Sequence, residues 1–331
     1  MRHSTYRSQN SWRNNFRAYD KTTLAVLILL PILALLAGKW DATTLRFGLI
    51  HTCAITLILV LVRHETRLPA ALKFLRDWYP VVLVTFFFSE LGRAVNVFFP
   101  FWLEPHLIAS DYTLFGQHAY EYLAPRLTAM VTEVFAFAYW AYYPMIPLVA
   151  AAFYFTKRAK AGSLTLNFTQ VMNRLCGILY LCYICILLFP ARGPHHALGV
   201  EITKLTTGGF FFDFILAIQA RGSVVGAAFP SAHAAAAWTM LLVLRHDFKK
   251  SFWALLPLVI LLSLSTFVLQ YHYWVDAMAG MLLAFILEGV MTWRENKTRR
   301  NVAAQAFSFR PFIKRSSPQA RKAAKHASLA K

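Results

Sequence analysis

The 331-residue sequence has few charged residues and very few acidic ones. Asp, Glu, Lys and Arg make up 15% of the chain, and only 15 residues are Asp or Glu against 34 that are Lys or Arg. A soluble domain carries roughly a quarter charged residues and about half apolar ones, whereas 58% of this chain is hydrophobic and its mean hydropathy is +0.47. The composition excludes an ordinary soluble domain and predicts a membrane protein.

The sequence also lacks the residue patterns of several common binding sites. It has no glycine-rich dinucleotide motif, no P-loop and no internal repeat. All 4 cysteines fall in apolar segments, so neither a disulfide framework nor a zinc site is expected. The segments predicted outside the membrane have no carboxylate cluster suited to magnesium. We therefore expect no metal and no other cofactor.

Eight apolar segments are long enough, or nearly so, to cross a hydrocarbon core of ~30 Å as helices. They lie at about 22–38, 47–62, 79–103, 127–155, 171–190, 231–244, 251–269 and 273–293. The sequence thus predicts an all-α polytopic membrane protein with about eight transmembrane helices. Its expected parts are a basic arm (1–21), two additional N-terminal helices (22–78), a membrane domain of six helices (79–293) and a basic tail expected to be disordered (294–331).

Basic residues are distributed unevenly between the two sides of the predicted membrane domain. Alternate connecting segments, counted with both termini, hold 27 of the 34 Lys and Arg residues. Because cytoplasmic loops are enriched in Lys and Arg, both termini are predicted to be cytoplasmic. The membrane would be the inner membrane of a bacterium or a Golgi-type membrane of a eukaryote. The basic tail is expected to contact anionic lipids rather than nucleic acid.

Two histidine-containing segments lie on the predicted outer side. Gly226–His233 reads as a helix start, with Ser231 near the cap and free backbone N–H groups that can bind an anion beside His233. In 270–280, His272 and Asp276 are four residues apart, so the carboxylate can fix one imidazole nitrogen and leave the other free as a nucleophile. The simpler interpretations are a helix cap with an interfacial histidine and a structural ion pair.

A third segment, 189–196, contains Arg192, whose planar guanidinium is a suitable donor to phosphate oxygens. The alternative is an arginine that anchors a helix end to lipid headgroups. His195 and His196 are interpreted as exposed loop histidines. In the outer loop 191–230, Arg221 and Lys204 could attract an anionic headgroup, with Arg221 favoured because it lies ten residues before Ser231.

Three further polar residues fall inside predicted spans. Glu90 and Arg93 are three residues apart and are expected to pair within the bundle. A substrate role is the alternative for these two residues. For Glu133, both a structural role within the bundle and a substrate role remain open.

Taken together, the three segments resemble the type 2 phosphatidic acid phosphatase superfamily, and most closely its branch related to inositol phosphorylceramide synthase. The resemblance rests on Phe-Pro-Ser-Ala-His at 229–233 and His-Tyr-Trp-Val-Asp-Ala-Met-Ala-Gly at 272–280, in the family's order. The stretch 111–116 is also similar to that branch. The phosphatase branch has a Lys and an Arg-Pro pair in its first motif, and the loss of these residues here fits the synthase-like branch.

The resemblance implies a core of six helices and metal-independent transfer of a phosphoryl or phospho-headgroup through a phosphohistidine. His272 would attack phosphorus, Asp276 would orient it, and His233 would protonate the leaving group. Arg192, Ser231 and Arg221 would bind the phosphate. The expected partners are membrane lipids, a phosphorylated lipid substrate and, for a transferase, a lipid alcohol acceptor. The alternatives are a lipid phosphate phosphatase that transfers to water, a transporter or channel, and a scaffold without catalysis.

Overall fold

The computed structural model describes residues 12–156, 165–199 and 207–315, with side chains described as far as residue 301. Within these ranges the protein is built from helices and contains no strand beyond one isolated bridge between Ala191 and Ala227. The α-helices are α1 (Ala18–Leu36), α2 (Ala42–Arg63), α3 (Ala70–Leu91), α4 (Glu104–Phe115), α5 (Ala119–Leu123), α6 (Ala129–Trp140), α7 (Tyr142–Phe155), α8 (Phe168–Leu188), α9 (Pro194–Ala197), α10 (Phe210–Gly222), α11 (Ala232–Asp247), α12 (Lys249–Val268) and α13 (Trp274–Arg315).

Every predicted apolar segment overlaps at least one helix, which confirms the all-α membrane fold. Among the described residues, six helical stretches are long and apolar enough to cross a membrane, namely Ala18–Leu36, Ala42–Arg63, Ala129–Phe155, Phe168–Leu188, Lys249–Val268 and Trp274–Asn301. The other two predicted spans correspond to α3 and α11. Helix α11 has 16 residues and extends about 24 Å at ~1.5 Å per residue. Helix α3 is continuous, but its first half contains the charged residues Lys73, Arg76 and Asp77.

Helix α3 begins at Ala70 and ends at Leu91, whereas the sequence predicted a span over 79–103. The earlier start follows Pro69, the N-cap residue, since proline suits a helix start. Arg76 is tolerated there because both of its terminal nitrogens bond to the Asp20 carboxylate, at 2.9 and 2.7 Å, with both side chains buried. This ion pair joins α3 to α1.

The expected pairing of Glu90 with Arg93 is wrong. Glu90 Oε2 lies 2.5 Å from Nε2 of His51 on α2, and Arg93 binds Asp41 at 2.7 Å. The two residues are neighbours only on a continuous helix, and α3 ends at Leu91 between them. Both pairs attach α2 or its start to the end of α3.

Helix α11 lies at the centre of the helical bundle. It packs against α7, α8 and α12, and residues 234–237, all alanine, are fully buried. Small side chains allow neighbouring helices to approach closely. Since His233 is in the first turn of α11, this packing determines where that histidine lies.

Residues 1–287 and 288–331 form two compact units. In the second unit the described residues are helical, so 294–315, which the sequence predicted as disordered, continue α13. The Ala, Lys, Arg and Gln residues of this stretch have high helix propensity. Lys204 lies outside the described residues.

Candidate active site

The three polar segments of the sequence meet at one end of the bundle. The Ala228 N–H donates to the Ala191 carbonyl at 3.0 Å, which joins segment 226–233 to segment 189–196 after α8. The Ser231 N–H donates to the Asp276 carbonyl at 3.0 Å, which joins it to the start of α13. Residues far apart in sequence therefore form one site.

His272 lies just before α13, and one of its ring nitrogens is hydrogen-bonded to the protein. Its Nδ1 is 2.7 Å from the Ala228 carbonyl oxygen and 3.5 Å from Oδ2 of Asp276. A carbonyl oxygen only accepts, so Nδ1 carries the proton and Nε2 of the neutral ring has a free lone pair. The sequence predicted that Asp276 would hold this tautomer, and the structure adds the nearer carbonyl of Ala228.

The Asp276 carboxylate is buried in the first turn of α13. Its Oδ2 accepts the Tyr273 N–H at 2.9 Å, and its Oδ1 has no hydrogen-bond partner among the described residues. A buried carboxylate is costly unless a positive charge is near. The only ionisable side chain to which this carboxylate is bonded in the described structure is His272.

Gly280 brings α13 against the start of α11. A Cβ at this position would lie 2.4 Å from the Ser231 carbonyl oxygen, so any other residue would force the helices apart. Ser231 itself is buried, and its Oγ accepts the Ala234 N–H at 3.3 Å as the N-cap of α11. Gly280, the last residue of the motif at 272–280, therefore sets the distance between the two histidine segments.

His233 faces His272 and is surrounded by tyrosines. The two imidazole centroids are 6.2 Å apart. The Tyr139 hydroxyl is 3.3 Å from Nε2 of His233 and accepts the side-chain amide of Gln219 at 2.7 Å. The Tyr142 ring centroid lies 4.5 Å from the His233 ring. The tyrosines were not predicted, because no local motif marks them.

A cavity of about 350 Å³ opens between the two histidines. Its walls are mainly apolar and aromatic, and none of the described residues that line it is Lys, Arg, Asp or Glu. Four histidines line it: His195, His196, His233 and His272. The apolar residues include Val84, Phe88, Ile146 and Leu179, which come from α3, α7 and α8. Such walls suit a ligand with an apolar part.

The interpretation of His195 and His196 as exposed loop histidines is wrong, because both are partly buried in the cavity wall. The reason is the preceding glycine. A Cβ at Gly193 would lie 2.2 Å from the Tyr271 carbonyl oxygen, so only glycine lets this loop lie against the His272 segment. His195 Nδ1 is 3.1 Å from the Gln270 carbonyl oxygen.

Of the three predicted phosphate-binding residues, none lines the cavity in the part of the chain that is described. Arg192 bonds through Nε to Glu104 at 2.5 Å and lies over the Trp102 ring. Arg221 is exposed and donates to the Ala217 carbonyl in its own helix, α10. Ser231 is used as a cap. Their contact with phosphate stays a prediction.

Glu133 has a role that sequence reasoning missed. Its carboxylate accepts the backbone N–H groups of Gly209, Phe211 and Phe212 at 2.8, 2.6 and 3.1 Å, and so caps α10. The sequence treated 191–230 as a loop, although a pair of glycines followed by an apolar run at 210–218 could have indicated a helix start. Helix α10 carries Gln219, and through it Glu133 supports Tyr139.

The stretch 111–116 begins in the last turns of α4, next to the start of α13. Asp111 is buried at the end of this helix, and burial raises the pKa of its carboxyl to about 6. Gly116 ends α4 with a φ of +71°, which few other residues adopt. The Trp274 indole donates to the Ser110 carbonyl at 2.9 Å and joins α4 to the first residue of α13.

A comparison with known proteins agrees with this geometry. A family model described as the PAP2 superfamily matches residues 107–289, which is more than half of the chain and includes all three polar segments. No curated protein and no solved structure matches the chain.

Proposed function

The chain belongs to the PAP2 superfamily, the type 2 phosphatidic acid phosphatases, and on this premise we propose that it transfers a phosphoryl or phospho-headgroup from a phosphorylated lipid through a phosphohistidine. Membership supports a phosphatase-type activity on a lipid phosphate in an integral membrane protein. The observation that carries the finer proposal is the pair of histidines facing each other across 6.2 Å in an apolar-walled cavity.

In the first step, the lone pair on Nε2 of His272 attacks phosphorus. The P–N bond forms as the bond from phosphorus to the ester oxygen breaks, and protonated His233 gives its proton to the departing alkoxide. The Asp276 carboxylate, 3.5 Å from Nδ1, balances the positive charge that the substituted ring acquires. No metal ion is needed for this step.

In the second step, neutral His233 accepts the proton of an acceptor hydroxyl as its oxygen attacks phosphorus. The P–N bond breaks, and His272 returns to its starting tautomer with Nδ1 still bonded to the Ala228 carbonyl. A histidine serves in both directions because the neutral ring accepts a proton and the imidazolium donates one. Tyr139 is placed to hold the His233 ring in both steps.

The acceptor is proposed to be a lipid hydroxyl, as in inositol phosphorylceramide synthase. The support is the synthase-like motif at 192–194, together with cavity walls that are mainly apolar and offer few partners to water. The alternative is transfer to water at the same site. A transporter or channel has lost its support, because Glu90, Arg93 and Glu133 each have a protein partner.

The acceptor is tested with the purified protein in lipid nanodiscs that contain a phosphorylated lipid, with or without a lipid alcohol, in water enriched in oxygen-18. A transferase forms a new phospholipid without the isotope, whereas a phosphatase releases phosphate that contains it. The His272→Ala variant is the control for contaminating enzymes. Turnover in that variant equal to wild type would contradict the phosphohistidine.

We further propose that the site faces the cell exterior or an organelle lumen, with both termini cytoplasmic. The support is the charge distribution, since 27 of 34 basic residues fall on the other side of the predicted membrane domain. Topology reporters fused after residue 248 should read cytoplasmic, and one inserted within 200–220 should read external. A cytoplasmic result for the second reporter would contradict the orientation.

A further inference from the structure

One wall of the cavity contains two histidines to which the proposed reaction gives no role. The rings of His195 and His196 are 3.8 Å apart, and each Nε2 is buried without a hydrogen-bond partner among the described residues. Both residues line the same cavity as His272 and His233. A buried polar atom without a partner is costly, so its presence beside a reacting group points to a ligand that completes its bonding.

We propose that His195 and His196 bind the phosphoryl oxygens of the substrate and that at least one of them takes up a proton when the anion enters. The inference rests on the proposed function, because the phosphorylated headgroup is what brings an anion to this wall. It adds two substrate-binding residues and makes binding dependent on pH.

The cavity needs more positive charge than protonated His233 alone provides. A phosphate monoester carries close to two negative charges at pH 7, yet none of the described lining residues is Lys or Arg. The nearest arginine in the same loop, Arg192, is bonded to Glu104. The histidine pair can supply this charge by taking up a proton when the anion binds.

The hydrogen bond of His195 makes proton uptake necessary. Its Nδ1 lies 3.1 Å from the Gln270 carbonyl oxygen, so Nδ1 carries the proton of the neutral ring. Nε2 then carries a lone pair, which repels an anion. The ring can donate from Nε2 to a phosphoryl oxygen only as the imidazolium.

The groups around the pair favour neutral rings in the empty cavity. The pair is faced by His272 and Tyr271 from the segment before α13, by His233 from α11, by Arg192 from its own loop, and by the tyrosines of the cavity at 139, 142, 143 and 183. Burial, with His196 and His272 nearby, lowers the pKa of His195 to about 4, and burial with Arg192 lowers that of His196.

An entering anion supplies the opposite charge and raises both pKa values. Because the bound state then holds more protons than the free state, affinity should fall as pH rises. One proton taken up corresponds to about a tenfold loss of affinity per pH unit. The loss should extend from about pH 6 to pH 8, where the free rings are neutral.

The test measures binding of tungstate, a tetrahedral anion that stays doubly charged over this pH range, by isothermal titration calorimetry of the full-length protein in detergent micelles. Titrations in two buffers of different ionisation enthalpy give the number of protons taken up. We expect about one proton per tungstate in the wild type. We also expect at least about a tenfold weaker affinity, with little uptake, in the double variant His195→Gln and His196→Gln.

The matched control is His64→Gln, an exposed histidine at the end of α2 that does not line the cavity. It should bind tungstate as the wild type does. A double variant that keeps both the affinity and the proton uptake would overturn the inference. A second measurement avoids any folding defect: in the wild type, tungstate should protect His195 and His196 from diethyl pyrocarbonate, and equal modification with and without tungstate would also overturn it.

Lipid phosphate turnover, assayed separately, distinguishes this inference from the proposed function. If the wild type binds tungstate through the pair but turns over no lipid phosphate, the anion site is supported and the proposed function fails. If turnover is present but the pair does not affect tungstate binding, the inference alone fails. In the double variant His195→Gln and His196→Gln, we expect KM for the lipid phosphate to rise by a larger factor than kcat falls, since the pair acts in binding.

Discussion

Replacing Asp276 with asparagine would remove one negative charge beside His272 and change little else. The Asp276 side chain is buried, its Oδ2 accepts the Tyr273 N–H at 2.9 Å, and the same oxygen lies 3.5 Å from Nδ1 of His272. Asparagine has nearly the same size and keeps an oxygen for the Tyr273 N–H. The substitution therefore tests the charge of the carboxylate rather than its bond to the start of α13.

The size of the effect follows from the distance. Two unit charges 3.5 Å apart interact by about 4.7 kcal/mol at an effective dielectric constant of about 20. This energy corresponds to at most roughly a 3,000-fold change in rate. Loss of the correct tautomer adds nothing, because the Ala228 carbonyl still holds Nδ1–H. We expect kcat to fall by about 10²- to 10³-fold.

The assay is the initial rate of lipid phosphate turnover by purified protein in nanodiscs, at equal amounts of folded protein judged by size exclusion and thermal unfolding. The matched control is Asp213→Asn, because Asp213 is an exposed carboxylate in the first turn of α10 that does not line the cavity. It should keep wild-type turnover. If Asp276→Asn retained more than about a third of wild-type kcat, the carboxylate would serve only as a helix cap, since that loss is under 1 kcal/mol.

Three other predictions test the site. His272→Ala and His233→Ala should each lower kcat by roughly 10³-fold or more, and the double variant should be no worse than the poorer single variant because the pair acts as a unit; additive losses would contradict a shared step. EDTA should leave the initial rate unchanged, since the proposed steps use only side chains, and strict dependence on magnesium would refute them. Glu133→Gln should lower the thermal unfolding temperature, because it removes the charge that caps α10 and costs about 1–2 kcal/mol; an unchanged unfolding temperature would show that the cap contributes little.

Much of the fold could be predicted because hydrophobicity is a property of contiguous residues. Each long apolar run became a helix, since a membrane requires every backbone polar group to be paired within the segment. The limits of the helices were less predictable. Helix α3 begins nine residues earlier than expected because the buried Asp20 carboxylate pairs with Arg76. No local pattern relates those two residues.

The candidate catalytic residues could also be found locally. His272 and Asp276 are four residues apart, and His233 follows a helix start, so their chemistry depends on spacing that the sequence displays. The comparison with known proteins supports the family to which these motifs point. Their roles in the reaction remain proposals that the variants above test.

The sequence by itself determined which segments are apolar, which residues are close along a helix, and which motif carries the histidines. Only the tertiary structure decided the partners of the other polar groups. It paired Glu90 with His51 and Arg192 with Glu104, and it turned His195 into the cavity. The physical reason is that a charge or a donor is satisfied by whatever group the packing of distant segments brings within about 3 Å, and a linear pattern contains no information on that distance.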